Sequence, residues 1–163
     1  MELKVKKLTP TAKLPTKAYP TDAGWDIYAD DCVEIYPGEI KKVRTGIAVQ
    51  GNAAHLIWDR SSLGSKGIHR LAGVIDQTYS GEIIVCLTNL NTYGALNMIT
   101  LYGDSPELKD RVADELERHK YVIYPGDKIA QVLTQQVCDV TIVEVEDLGI
   151  TDRGANGFGS SGK

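Results

Sequence analysis

The stretch Gly73-Val74-Ile75-Asp76-Gln77-Thr78-Tyr79-Ser80-Gly81-Glu82-Ile83-Ile84-Val85-Cys86-Leu87 holds two β-branched apolar runs around a polar, glycine-closed turn. Runs of this kind, bounded by turn signals, read as strands. The same kind of run recurs along the chain. Examples are Cys32-Val33-Glu34-Ile35-Tyr36, Gly46-Ile47-Ala48-Val49, His55-Leu56-Ile57-Trp58, Tyr121-Val122-Ile123-Tyr124 and Val140-Thr141-Ile142-Val143-Glu144-Val145. Several alternate with period two, and Pro37-Gly38, Gly51-Asn52, Gly81 and Pro125-Gly126 punctuate them. The pattern predicts an all-β fold: a sandwich, jelly roll or barrel. No alternation of strands with long helices is present, which disfavours a doubly wound α/β sheet.

One segment departs from this pattern. Ser105 is an N-cap candidate, Pro106 takes the first helical position and Glu107 puts an acid in the first turn. Leu108, Val112 and Leu116 then recur every four residues, and Glu107/Arg111 and Asp114/Arg118 are acid-then-base pairs at i, i+4. The spacing predicts one short helix over 105–119. Its narrow apolar stripe suits docking on a surface, either of its own assembly or of a protein partner. Residues 1–150 read as a single domain. The tail, 151–163, has four glycines in thirteen residues and reads as a flexible segment unless a ligand or neighbour orders it.

The chain has 163 residues, a size for one domain. Hydrophobic residues are 42% and charged residues 25%, which excludes a disordered or collagen-like chain. Net charge is −4, which disfavours broad nucleic-acid binding but leaves room for a local anion site. No apolar run reaches a membrane span, and the N-terminus lacks a secretory apolar core. Cys32, Cys86 and Cys138 lie more than 50 residues apart, so CxxC motifs are absent and a reducing cytoplasm is expected.

Glycine gathers beside polar groups in four places. Arg60-Ser61-Ser62-Leu63-Gly64-Ser65-Lys66-Gly67 combines a cation, hydroxyls and backbone N–H groups, a set that suits phosphate; alone it is equally a solvated hairpin turn. Arg153-Gly154-Ala155-Asn156-Gly157-Phe158-Gly159-Ser160-Ser161-Gly162 repeats the ingredients. Asp76 at a strand end is a candidate base or a turn residue, and Asp26 is open to the same two readings. Tyr79 and Phe158 are core residues or stacking surfaces for a base or sugar. His55, His69 and His119 have no metal-ligand spacing, and neither GxxxxGK[ST] nor GxGxxG is present.

Five segments in order settle the comparison with a known family. They are Ala23-Gly24-Trp25-Asp26; Asp59 to Gly67 with its Arg-Ser-Ser core; Gly73-Val74-Ile75-Asp76 through Tyr79-Ser80-Gly81-Glu82; Gly126-Asp127-Lys128-Ile129-Ala130-Gln131-Val132; and the glycine-rich tail. Together they resemble the five motifs of the trimeric dUTP diphosphatases, over about 140 residues. The resemblance implies an all-β jelly roll, a homotrimer with sites at subunit interfaces, and hydrolysis of dUTP to dUMP and pyrophosphate with Mg²⁺. That reaction limits uracil in DNA and supplies dUMP for thymidylate synthesis. It implies that Asp76 activates the attacking water at the α-phosphorus. Asp26 would support the metal and water network through waters. Tyr79 would pack on the deoxyribose, and the hairpin of Gly73, Val74, Ile75, Glu82 and Ile83 would read the uracil edge. Arg60, Ser61, Ser62 and Gln131 would hold phosphates. Arg153 would reach the γ-phosphate, Phe158 would cover the uracil, and Gly159, Ser160 and Ser161 would close over the polyphosphate as a lid.

The chain departs from the family pattern in places. Trp25 stands where Tyr or Leu is usual, Thr78 where an acid is common, and Lys128 where Arg is. Asp59, directly before Arg60, brings a negative charge towards a phosphate site and is expected to weaken binding. Gly81 and Gly126 lie 45 residues apart, about twice the spacing of compact members, so residues 92–119 read as an insert. Some phage-borne members use an insert in this stretch to contact other proteins. The alternative activity is deamination of dCTP on the same scaffold. It requires a Glu ten residues after the hairpin Asp, with Pro beside that Asp. Here those positions hold Cys86 and Gln77, and a thiol does not shuttle protons as a carboxylate does.

Overall fold

The computed structural model describes residues 2–92 and 106–155. Two four-stranded sheets face each other. The first has the order β1 (Lys4–Lys7), β4 (Ile40–Gln50), β8 (Glu82–Asn89), β6 (Ile68–Leu71). The second runs β2 (Trp25–Tyr28), β10 (Lys128–Gln135), β5 (Ala54–Trp58), β7 (Val74–Ile75). β3 (Val33–Ile35) and β9 (Tyr121–Ile123) form a two-stranded ribbon, and every ladder is antiparallel. The all-β jelly-roll-like expectation therefore holds.

The β-branched runs behave as their composition requires. Ile27, Ile35, Val43, Ile47, Ile83 and Ile129 are among the side chains sealed between the layers. Each contributes about 1.5–3 kcal/mol by leaving water. β4 is the long central strand and carries a bulge between Arg44 and Ala48. Gly46 sits in that bulge at φ +63, where an added Cβ would lie 2.6 Å from Asp30 Oδ2 and 2.8 Å from Ala12 Cβ. Only glycine fits both the dihedral and the space.

Two elements differ from expectation. The 60–67 stretch is not all loop: Ser61–Gly64 forms a short helix, α1, whose Leu63 is buried in the core. The apolar run 140–145 is not a strand. Ile142 is 95% exposed and Val140 73%, and residues 136–145 join no ladder within the chain. A β-type sequence without an edge to pair with has nowhere to place its N–H and C=O groups in a ladder.

The expected helix is present as α2, Pro106–His119. Its C-terminal end is tied to the β domain. Tyr36 Oη donates to Glu117 at 2.9 Å, Lys120 bridges Glu34 and Glu117, and the buried Asn89 donates to the carbonyls of His119 and Ile35. The Lys120 ammonium holds Glu117 below the usual carboxylate range. Val112 and Leu116 are half-buried. The N-cap expected at Ser105 lies outside the described residues.

Candidate active site

The second sheet assembles one group of candidates. Gln131 on β10 lies opposite Asp26 on β2 and opposite Trp58 on β5. Residues facing each other across strands share a face, so register alone puts Asp26 and Gln131 side by side at the strand end leading to Arg60. Gly24 makes this approach possible, since a Cβ there would sit 2.8 Å from Gln131 Oε1. Gln131 in turn donates to the Asp59 carbonyl at 3.3 Å.

Asp26 is 9% exposed and lies between two cations. Arg60 Nε donates to Oδ1 at 2.8 Å, and Lys128 Nζ lies 2.8 Å from Oδ2. The hydrogen bond to Asp26 raises the Lys128 ammonium above its ordinary value. Arg60 also donates to Ser62 Oγ and to the Lys128 carbonyl. Ser61 and Ser62 open α1, where backbone N–H groups have no acceptor within the helix, and both residues are exposed. One carboxylate thus organises two cations, while the hydroxyls and N–H groups beside them stay open to solvent. Such an arrangement suits a polyanion. Lys128 was missed as a site residue by sequence reasoning. Its signal was the β10 register, which becomes legible only once Gln131 is paired with Asp26.

The 73–82 hairpin builds the second group. A pocket of about 210 Å³ is lined by Val74, Ile75, Asp76 and Tyr79 together with the start of β8. Asp76 follows β7 directly, is exposed, and among the described residues its side chain has no hydrogen-bond or ion-pair partner. Tyr79 is 47% exposed, and its hydroxyl donates to the Glu82 carbonyl at 3.0 Å. Gly81 lets the ring fold back, since a Cβ there would lie 2.6 Å from Tyr79 Cζ. Gly73, at φ +141, accepts from the Ile57 N–H at 2.7 Å.

Two expected hairpin contacts are restricted. The Glu82 carboxylate is taken by Arg44 and by the Gly46 N–H at 2.9 Å, so it pins the β4 bulge and leaves only its backbone for a ligand. The Ile83 side chain is in the core and its carbonyl accepts from Thr45 at 2.6 Å. Asp59 also departs from expectation. Its carboxylate turns away from the 60–67 segment and is met by the Arg70 N–H at 2.7 Å and by His69 at 2.9 Å. The Asp59 charge is therefore balanced at β6 and is not set against the phosphate loop.

The two groups do not meet within one chain. Ile75 is level with His55 on β5, whereas Gln131 is level with Trp58, three residues or about 10 Å further along. Asp76 and Arg60 extend past those levels in opposite directions. Arg153 lies in a turn closed by the Gly154 N–H on Thr151. Phe158, Gly159, Ser160 and Ser161 lie outside the described residues.

Comparisons with known proteins identify the family. The family model described as dUTPase matches residues 10–93 and 115–162. The chain is 39% identical to the deoxyuridine 5'-triphosphate nucleotidohydrolase of Nocardia farcinica, over 97% of this chain and 84% of that one. It is 38% identical to the Corynebacterium jeikeium enzyme of the same name, over 98% and 92%. Among solved structures it resembles a Staphylococcus bacteriophage 80alpha dUTPase with dUPNHPP, at a TM-score of 0.79, 25% identity and 99% coverage of both chains. With the family model matching most of the chain and relatives 38% and 39% identical covering nearly all of it, the chain belongs to the dUTPase family.

Proposed function

We propose that this chain hydrolyses dUTP to dUMP and pyrophosphate, with Asp76 as the base that activates water at the α-phosphate. The observation that carries the reading is the hairpin pocket, which sets a carboxylate with no side-chain partner among the described residues beside an exposed tyrosine at the end of β7. A general base placed in this way contributes typically 10²–10⁴ in rate. The test is incubation with Mg²⁺ and, separately, dUTP, dCTP, dTTP or UTP, following pyrophosphate and ammonia. Pyrophosphate from dUTP is the expected product. Ammonia from dCTP would place the chain with the deaminases instead.

The residues divide the substrate between them. Val74, Ile75 and the hairpin backbone receive the uracil, and Tyr79 takes the sugar. Arg60, Ser61, Ser62 and Gln131 bind the phosphates, with Lys128 adding a second cation. Arg153, Phe158, Gly159, Ser160 and Ser161 form the closing segment. Tyr79→Ala is expected to narrow the ratio of kcat/KM between dUTP and UTP, because the ring that excludes a 2′-hydroxyl is gone. An unchanged ratio removes Tyr79 from sugar reading.

Magnesium fits this donor set only as a partner of the triphosphate. Both Asp26 oxygens face cations at 2.8 Å, and no group of three or more His, Cys, Asp or Glu side chains gathers among the described residues. Mg²⁺ keeps most of its waters and prefers phosphate oxygens, so it needs no protein cage. Asp26 would touch it through water. When bound, the ion would neutralise charge on the polyphosphate.

The homotrimer with interfacial sites is part of the same proposal. Val140, Ile142, Val143, Leu148 and Ile150 are between 70% and 103% exposed, more apolar surface in one segment than a lone subunit tolerates in water. A neighbouring copy covers this arm and brings its hairpin to the Arg60 group. Among the described residues no helix is long and apolar enough to cross a membrane, and the three cysteines are free. The free cysteines are in keeping with a reducing cytoplasm.

The insert is assigned a place outside the chemistry. The ties of Glu117 to Tyr36 and of Lys120 to Glu34 on β3 favour docking of α2 on its own β domain over a dedicated partner surface. Replacing 92–119 with a short Gly/Ser turn is expected to leave dUTP hydrolysis within about tenfold, since longer loops here are tolerated thermodynamically. A folded but inactive deletion trimer would put the insert at the site.

A further inference from the structure

The backbone between β6 and β7 is strained where the nucleoside hairpin begins. Ala72 has φ 63, the left-handed region that side chains avoid, and Gly73 follows at φ +141. Among the described residues Ala72 is the only non-glycine with positive φ. Such a conformation persists only where its surroundings hold it. Here the surroundings centre on Arg70. Its guanidinium donates to the Ala72 carbonyl through Nη1 and lies 5.1 Å over the Trp58 ring. Its Nε is sealed from solvent, 4.0 Å from Asp59 Oδ2, and its backbone N–H donates to Asp59 Oδ1. Asp59 is in turn held by His69. A Cβ at Gly73 would meet Arg70 Nη1 at 2.9 Å, so glycine and guanidinium are packed against each other.

We propose that Arg70 is a positioning residue, which, with Asp59, holds the Ala72–Gly73 turn so that the hairpin presents Asp76 and the nucleoside pocket at a fixed angle. The proposal rests on the dUTP reading above. Arg70 touches no substrate: it acts through the Ala72 carbonyl, one residue before the glycine that docks the hairpin on Ile57. The planar fork does what a lysine does only in part, since it stacks on Trp58 while keeping a donor on Ala72 and a face towards Asp59. The arrangement also gives Asp59 a role. An acid next to the phosphate-binding arginine is tolerable because its charge is spent on β6.

The test separates the two halves of the substrate. Wild-type trimer is first shown to hydrolyse dUTP; if it does not, the dUTP reading fails and not this one. In Arg70→Gln, inhibition by dUMP should weaken about tenfold and kcat/KM for dUTP fall about 10–100-fold, as expected for a reacting group moved by about 1 Å. Inhibition by pyrophosphate should change less than about twofold, because the Arg60 group is untouched. Hydrogen exchange in the peptide containing Ile57 should accelerate, since its N–H reports hairpin docking. Arg70→Lys, which keeps one donor for Ala72, should recover most of the dUMP inhibition. Should Arg70→Gln not assemble, Asp59→Asn gives the same contrast with a smaller loss, because it keeps an acceptor for the Arg70 N–H. Equal weakening of dUMP and pyrophosphate, or an unaltered dUMP inhibition with unaltered exchange at Ile57, overturns the proposal.

Discussion

Asp76→Asn should lower dUTP turnover by at least about 10²-fold while the protein still binds dUTP. The amide keeps the shape of the carboxylate and loses its ability to accept a proton from water. Asp76 makes no side-chain hydrogen bond or ion pair among the described residues, so its replacement leaves no buried partner unsatisfied. Stability should therefore move by no more than about 0.5 kcal/mol, the usual range for an exposed position. That separation makes the experiment clean. A loss of turnover with unchanged melting temperature and unchanged binding of a non-hydrolysable dUTP analogue assigns the base. Near-normal turnover would make Asp76 a turn residue and leave the reaction in need of another base. The contrast with Asp26 is instructive. Asp26 is nearly buried between Arg60 and Lys128, so removing its charge leaves two cations without their shared partner. Its loss would mix structural and catalytic effects, and it is the poorer probe of mechanism.

Much of the fold was legible because the deciding signals are local. Ile83 to Leu87 is an apolar run that opens with three β-branched residues, and the Gly81 turn signal lies just before it, so β8 needed no tertiary information. Pro106 and the four-residue apolar spacing marked α2. The failures are non-local. Residues 140–145 have the composition of a strand, but a strand also needs a partner edge, and among the described residues they pair with none. Ser61–Gly64 looked like loop because serine and glycine dominate it; burial of Leu63 against the core is what winds the turn. At the site, residue types were enough to point to Asp76, Tyr79 and the Arg-Ser-Ser segment. Lys128 stood in the fourth segment without an assigned role and Arg70 was invisible, since each matters through a partner far away in sequence: Lys128 through Asp26, Arg70 through Asp59 and a backbone carbonyl. Asp59 was readable as a charge, but its direction was not. A carboxylate beside a phosphate loop looks harmful until the β6 residues that receive it, His69 and Arg70, are in place.

Mixing two inactive variants should restore activity. Asp76→Asn disables the hairpin group and Arg60→Ala disables the phosphate group, and the strand register keeps these groups apart within one chain. If each site pairs one subunit's hairpin with its neighbour's Arg60 group, a mixed trimer holds some sites with both groups intact. In a threefold ring of heterologous contacts formed at random from equal amounts, about one site in four draws an intact hairpin from one subunit and an intact phosphate group from the next. Co-refolding the two variants should then recover about a quarter of wild-type turnover per site, by the same ring statistics. Sites contained within single subunits predict no recovery at any ratio, because every subunit then carries one lesion. The dependence on mixing ratio sharpens the comparison. Recovery should peak at equal amounts and fall off symmetrically to either side, as the product of the two fractions does. The mixture must be unfolded and refolded together, or co-expressed, for subunits to exchange. Variants mixed as preformed trimers should stay inactive for as long as the exposed apolar arm, residues 137–150, remains covered by its neighbour.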